Sequence, residues 1–193
     1  GLYAVSVFRR SPYNFRVCFT EKFGRDETPE RRMTEIKRRN ILGTRVASVA
    51  YDQAVGAIMA AAVRGAGGYV CCANAHTLSL AARDPDYRRA LNGALLTVPD
   101  GMPVVWAHRL LGGARLPDRV YGPTLMLKLC DAAAAQGLPL YLYGGHEGVP
   151  DKLAVILQAR RPSPTVVGAY SPPFGSRSED EERADVERIK ASG

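Results

Sequence analysis

The apolar positions of this chain change period repeatedly, and each change marks the edge of an element. Residues 45–49 read as a strand, and in residues 51–64 Val55, Ile58, Met59 and Ala62 fall at helical spacing before Gly65, Gly67 and Gly68 end the pattern. An apolar run at 69–73 predicts a buried strand, and after Asn74 a helix is predicted over 75–91. The same layout then recurs. Residues 95–98 are apolar, Pro99 ends them because it has no N–H for a sheet ladder, and Asp100 falls at the strand's carboxyl end. Gly101 permits a sharp turn, and Pro103 opens a helix whose apolar face is predicted to be Val104, Val105, Trp106, Leu110 and Leu111, stopped by Gly112 and Gly113. A helix over 124–136, a strand over 138–143, the pair Gly144-Gly145, a helix through Gln158 and a strand over 165–169 follow. The closing stretch reads as a charged helix with a thin apolar face at Ala184, Val186 and Ile189.

This alternation predicts an α/β fold, a Rossmann-like three-layer αβα arrangement around a mainly parallel sheet. With right-handed crossovers, Asn74 and Asp100 lie on one edge, where open α/β sheets bind ligands.

Residues 1–40 depart from the pattern. A strand is predicted over 2–8, and the arginine-rich stretch 27–40 reads as one exposed helix. These residues hold ten Lys/Arg against five Asp/Glu, so five of the seven excess positive charges of the chain lie there. We read 1–40 as a basic N-terminal extension, either flexible or a membrane-surface arm, and 41–193 as the folded domain. A net charge of +7 suits polyanionic partners, among them nucleic acid, anionic lipid and phosphorylated sugars, without choosing between them.

Cys18, Cys71, Cys72 and Cys130 form neither a CxxC pair nor a zinc spacing, which argues against a metal site or a disulfide framework and for a reducing, cytoplasmic setting. Cys71 and Cys72, adjacent on a strand, must point to opposite faces. No run approaches the ~20 apolar residues that span a bilayer, so any membrane contact is expected to be peripheral.

Each candidate site residue has two readings. Asp100 suits a helix cap or a general base that takes the proton of an attacking hydroxyl. Arg119 is a surface cation or a forked donor to a diphosphate. Asn74 caps a helix or orients a sugar hydroxyl. Gly144 and Gly145 make an ordinary turn or offer backbone N–H groups to an anion at a helix start. Arg109 and Arg115 fit a solvated face, His146 a solvated loop, and His76 and His108 are assigned nothing. The DPD at 84–86 superficially matches a metal-binding DxD, but Arg83, Arg88 and Arg89 flank it and neutralise it without a cation.

The stretches PDGMPVVWAHRLLG and DRVYGPTLM, supported by ANAHTLSLAARDPDYRRAL, LYLYGG and YSPPF, resemble the bacterial glycosyltransferases of the WecG/TagA/CpsF type over residues 41–174. The resemblance implies an inverting, metal-independent transferase without a cofactor. It would move a hexose or N-acetylhexosamine, such as N-acetylmannosamine, from a UDP-sugar to an undecaprenyl-diphosphate-linked sugar during cell-surface polysaccharide or teichoic acid assembly. It further implies that Asp100 is the catalytic base and that Asn74, Arg119, Gly144 and Gly145 bind substrate. Peripheral contact with the anionic inner face of the cell membrane follows from the lipid acceptor, with no nucleic-acid partner; a homo-oligomer is left open.

Two departures stand out. Cys72 occupies a position where the family often has threonine, and a thiol is a poor substitute for a hydroxyl hydrogen bond. The family's sheet continues into a strand and a glycine-, proline- and glutamine-rich segment that this chain does not reach, so we expect a fragment, and the initial Gly points the same way. A nucleotide-sugar binding module without turnover and a basic nucleic-acid-binding protein are the alternatives.

Overall fold

The computed structural model describes residues 3–7, 16–19, 36–65, 67–112, 116, 118–160 and 163–192. Its main sheet has six strands: β1 (Tyr3–Val7), β2 (Arg16–Phe19), β5 (Gly68–Ala73), β6 (Leu96–Pro99), β7 (Leu140–Gly144) and β8 (Val166–Tyr170). The order is β6-β5-β2-β1-β7-β8, and all run parallel except β2, which pairs antiparallel with both neighbours. A separate hairpin joins β3 (Arg38–Ile41) to β4 (Thr44–Ala47). The helices are α1 (Tyr51–Val63), α2 (Ala75–Arg83), α3 (Pro85–Gly93), α4 (Met102–Leu110), α5 (Gly122–Ala135), α6 (Val149–Gln158) and α7 (Glu179–Ala191).

Side-chain alternation along the strands builds the layers. Val70 and Cys72 of β5, Leu96 and Val98 of β6, and Leu140 and Leu142 of β7 share one core with Ile58 and Met59 of α1, Leu125 and Leu129 of α5, and Leu157 of α6. On the other face Ala73 meets Leu78 of α2 and Val104 of α4, Cys71 meets Leu91 of α3, and Tyr141 and Tyr143 meet Ile189 of α7. The result is the expected three-layer αβα arrangement, with Cys71 and Cys72 on opposite faces. Cys71, Cys72 and Cys130 are unbridged and buried. Among the described residues no helix is long and apolar enough to cross a membrane.

Several expectations need correction. The helix over 75–91 is two helices, because Pro85 pushes Asp84 into extended backbone (φ −115°, ψ 107°). Asp84 then caps α3 by accepting from the N–H groups of Asp86 and Tyr87 at 2.9 and 3.1 Å. Arg38, Arg39 and Asn40, expected to end an exposed helix, are strand residues, and Ile36 and Lys37 before them are not helical; the rest of that predicted helix, residues 27–35, lies outside the described residues. Their hairpin turns through Leu42 and Gly43, both at positive φ, a geometry that the usual Asn-Gly signal would have announced. On α7, Ala184 and Val186 are exposed, whereas Asp185 is buried beside Ile189.

The largest correction concerns α4. At 100° per residue Val104, Val105 and His108 share a face and are buried, with Ser48 Oγ 2.8 Å from His108 Nε2. Trp106, Leu110 and Leu111, predicted to lie on one apolar face with them, are instead 54%, 87% and 51% exposed.

Leu125→Ala, in the α1–α5 core, is expected to lower the unfolding free energy by about 2–5 kcal/mol. Leu110→Ala should change it by less than about 0.5 kcal/mol. Urea melts of both variants check this, and a large loss from Leu110→Ala would mean that α4 is covered.

Candidate active site

The ends of β5 and β6 form one side of the site. The last paired residues are Ala73 and Pro99, so Asn74 and Asp100 stand on the next rung. The Asp100 N–H donates to the Ala73 carbonyl at 2.8 Å and the Val120 N–H to the Pro99 carbonyl at 2.7 Å. That second bond lays residues 119–121 against the end of β6, and the Tyr121 N–H, held by the Tyr51 hydroxyl at 2.9 Å, fixes the loop from the other side.

Asp100 is half-buried. It does not cap the helix after it, since the N-cap of α4 is Gly101, at φ 127° and without a side-chain bond. Its carboxylate accepts instead from the Gly122 N–H at the start of α5. Burial raises its pKa above the ordinary carboxylate value, while the charge of Arg119 and the Gly122 N–H pull it back. The Arg119 guanidinium lies over the Tyr121 ring, 5.0 Å from its centroid, and finds no protein acceptor among the described residues. Asn74 caps α2, its Oδ1 accepting from the Thr77 N–H at 2.9 Å and the Thr77 hydroxyl at 3.0 Å. Its amide N–H groups have no partner among the described residues, so capping leaves a donor for a ligand. A side chain on Gly101 would touch Asn74, its Cβ falling 3.9 Å from that of Asn74.

Gly144 and Gly145 lie elsewhere on the same edge. Both take positive φ, 105° and 83°, as the chain turns from β7 toward α6. They line an open cleft of about 1020 Å³ whose far wall runs from Ser171 to Arg177. His146 is exposed there, and its carbonyl accepts from the Ser171 hydroxyl at 2.9 Å, joining the two walls. β2 and β1 lie between β5 and β7, so this cleft stands three strand spacings, roughly 14 Å, from Asn74. The structure thus brings Asn74, Asp100 and Arg119 together and sets Gly144 and Gly145 apart from them along the edge.

With this geometry in view, the description that matches the chain is "Glycosyl transferase WecG/TagA/CpsF family", over residues 39–193. The chain belongs to the WecG/TagA/CpsF glycosyltransferase family. No curated protein matches it. As a family member it is a glycosyltransferase of cell-surface polymer biosynthesis, a class that joins a nucleotide-sugar donor to a lipid-linked acceptor.

Other residues of this WecG/TagA/CpsF protein take plainer parts. Cys72, where the family often has threonine, is buried in the core under the site, and burial followed by the Asp100 charge raises its thiol pKa. Arg109 donates to the Leu116 carbonyl at 2.5 Å, His76 is exposed, and Arg115 lies outside the described residues.

Sequence reasoning missed the network beneath the cleft. The Tyr143 hydroxyl donates to Asp185 Oδ2 at 2.6 Å, and the Arg177 guanidinium donates to that hydroxyl at 2.8 Å, to the Asp185 carboxylate, and to the Glu181 carbonyl at 3.0 Å. Arg177 therefore ties the Ser171–Arg177 wall to α7 and β7. Alternation in LYLYGG puts Tyr141 and Tyr143 on one face, but nothing local marks Asp185, which sits in a run of exposed carboxylates. Removing one partner strands a buried charge, so Asp185→Ala should cost about 3–5 kcal/mol. Tyr143→Phe, which leaves the ion pair intact, should cost about 1 kcal/mol. Chemical denaturation distinguishes the two, and equal small losses would show that the network does not hold the wall.

Proposed function

We propose that the chain is an inverting, metal-independent glycosyltransferase in which Asp100 is the general base. The reading rests on one observation: a half-buried carboxylate, an arginine whose guanidinium has no hydrogen-bond acceptor among the described residues and an amide donor converge at the ends of β5 and β6. The acceptor hydroxyl loses its proton to Asp100 as its oxygen attacks the anomeric carbon, and the bond to the nucleoside diphosphate breaks on the opposite side. Burial suits Asp100 to this, since a raised pKa makes its carboxylate a stronger base. Arg119 sets its fork of N–H donors on the departing diphosphate in place of a divalent cation. Asn74 directs its amide N–H to a sugar hydroxyl. The donor lies along the sheet edge, its nucleoside end reaching toward the cleft beside Gly144 and Gly145, which add no side chains there.

The donor in this proposal is a UDP-sugar carrying a hexose or N-acetylhexosamine, and the acceptor is a polyprenyl-diphosphate-linked sugar. Such an acceptor places the protein on the cytoplasmic face of the cell membrane, held peripherally.

Asp100→Asn keeps size and most hydrogen bonding but removes the base. Turnover should fall roughly 100-fold or more while UDP-sugar affinity, read by titration calorimetry in EDTA, stays nearly unchanged. Arg119→Ala should weaken donor binding as well as rate. Near-normal turnover by Asp100→Asn at saturating substrates, or donor binding that EDTA abolishes, would overturn the proposal.

A further inference from the structure

We infer that the exposed face of α4 is the surface by which this protein seats on an anionic lipid bilayer. The inference rests on the lipid-acceptor reading above and gives it a location. Trp106 and Leu110 stand four residues apart on one side of the helix, 54% and 87% exposed, and Leu111 continues the patch past its end at 51%. Pro103 extends the same side toward Asp100 and is also exposed. A transferase that stayed in bulk water would gain nothing from a tryptophan and two leucines held out to solvent. Tryptophan, by contrast, has an amphipathic ring suited to the headgroup level of a membrane.

The charges beside the patch identify the occupant. Arg109 flanks it on α4, and Arg39 of β3 reaches its far end, where its guanidinium donates to the Gly112 carbonyl. Both arginines are exposed, both are anchored on backbone carbonyls, and neither pairs with a carboxylate among the described residues. The described residues of the two segments that build this face, 36–51 and 101–112, contain no Asp or Glu. An apolar stripe flanked by two unpaired cations complements anionic headgroups over acyl chains. A second exposed apolar pair, Val155 and Ile156 on α6, lacks this rim, because Asp151 stands on the same helix. A second copy of the chain is the weaker fit. The three α4 side chains expose on the order of 400 Å², half the ~800 Å² that each partner of a standard interface buries.

The placement also serves the chemistry. Asp100 is two residues from the start of α4, and Leu110 is roughly 12 Å along the helix from that start at 1.5 Å per residue. A bilayer against α4 brings the diphosphate of a lipid-linked acceptor beside the base without lifting its hydrocarbon out of the membrane.

Trp106 is the chain's single tryptophan, so its fluorescence reports this face directly. Vesicles of phosphatidylglycerol and phosphatidylcholine should shift its emission to the blue, and brominated acyl chains should quench it. Vesicles of phosphatidylcholine alone, or high salt, should do neither. Leu110→Glu should weaken co-sedimentation with the anionic vesicles at least 10-fold, whereas Val155→Ser/Ile156→Ser on α6 should leave it unchanged. A melt of each variant establishes that it is folded. Emission indifferent to anionic vesicles, full vesicle binding by Leu110→Glu, or a blue shift that follows protein concentration without vesicles would overturn the inference, the last in favour of self-association. Turnover with a short-chain, water-soluble acceptor keeps the two readings apart. Transfer without vesicle binding defeats this inference alone, and vesicle binding without transfer defeats the catalytic proposal.

Discussion

Two backbone hydrogen bonds past the end of β6 carry the geometry of the site. One, from the Asp100 N–H to the Ala73 carbonyl, extends the β5–β6 ladder by a rung and fixes the carboxylate beside Asn74. The other, from the Val120 N–H to the Pro99 carbonyl, draws the loop after α4 back to the strand end and brings Arg119 with it. Pro99 has no N–H to offer, yet its carbonyl is the anchor for that return. The excursion from Asp100 to Arg119, which holds α4, is closed by one bond of 2.7 Å, so the helix leads away from the strand end while the first and last residues of the excursion stay there.

The electrostatics around Asp100 set function against stability. Its pKa is raised by burial, so the folded state prefers the protonated carboxyl. Linkage gives the sign: the stabilising contribution is complete below the unfolded pKa and is lost as pH rises through the folded one, leaving the ionised group a net burden above it. Arg119 and the Gly122 N–H limit that burden, and the same arginine is the group proposed to meet a diphosphate.

Much of this was legible in the sequence, and what was not has physical causes. The strand, polar residue and helix repeated around Asn74 and Asp100 set these two residues on neighbouring strand ends, because period-2 and period-3.6 patterns are local. The αβα layering followed from their alternation. The outward face of α4 was misread because Trp106, Leu110 and Leu111 have the composition of a core stripe, and only the position of β3 decides which side of the helix is covered. Asp185 was invisible for the converse reason: its partners Tyr143 and Arg177 come from elsewhere in the chain. The separation of Gly144 and Gly145 from Asp100 depends on β2 and β1 lying between β5 and β7, a pairing between distant segments that no local pattern encodes.

The central claim is that Asp100 is a base whose pKa is raised by burial and held in check by Arg119. The pH dependence of kcat/KM for transfer tests it most directly. The acid limb should lie above the ~3.9 of an ordinary aspartate, and in Arg119→Ala, where the charged form loses its nearest cation, it should move to still higher pH. An acid limb at the ordinary aspartate value, or one that stays put or moves downward when Arg119 is removed, would contradict the account.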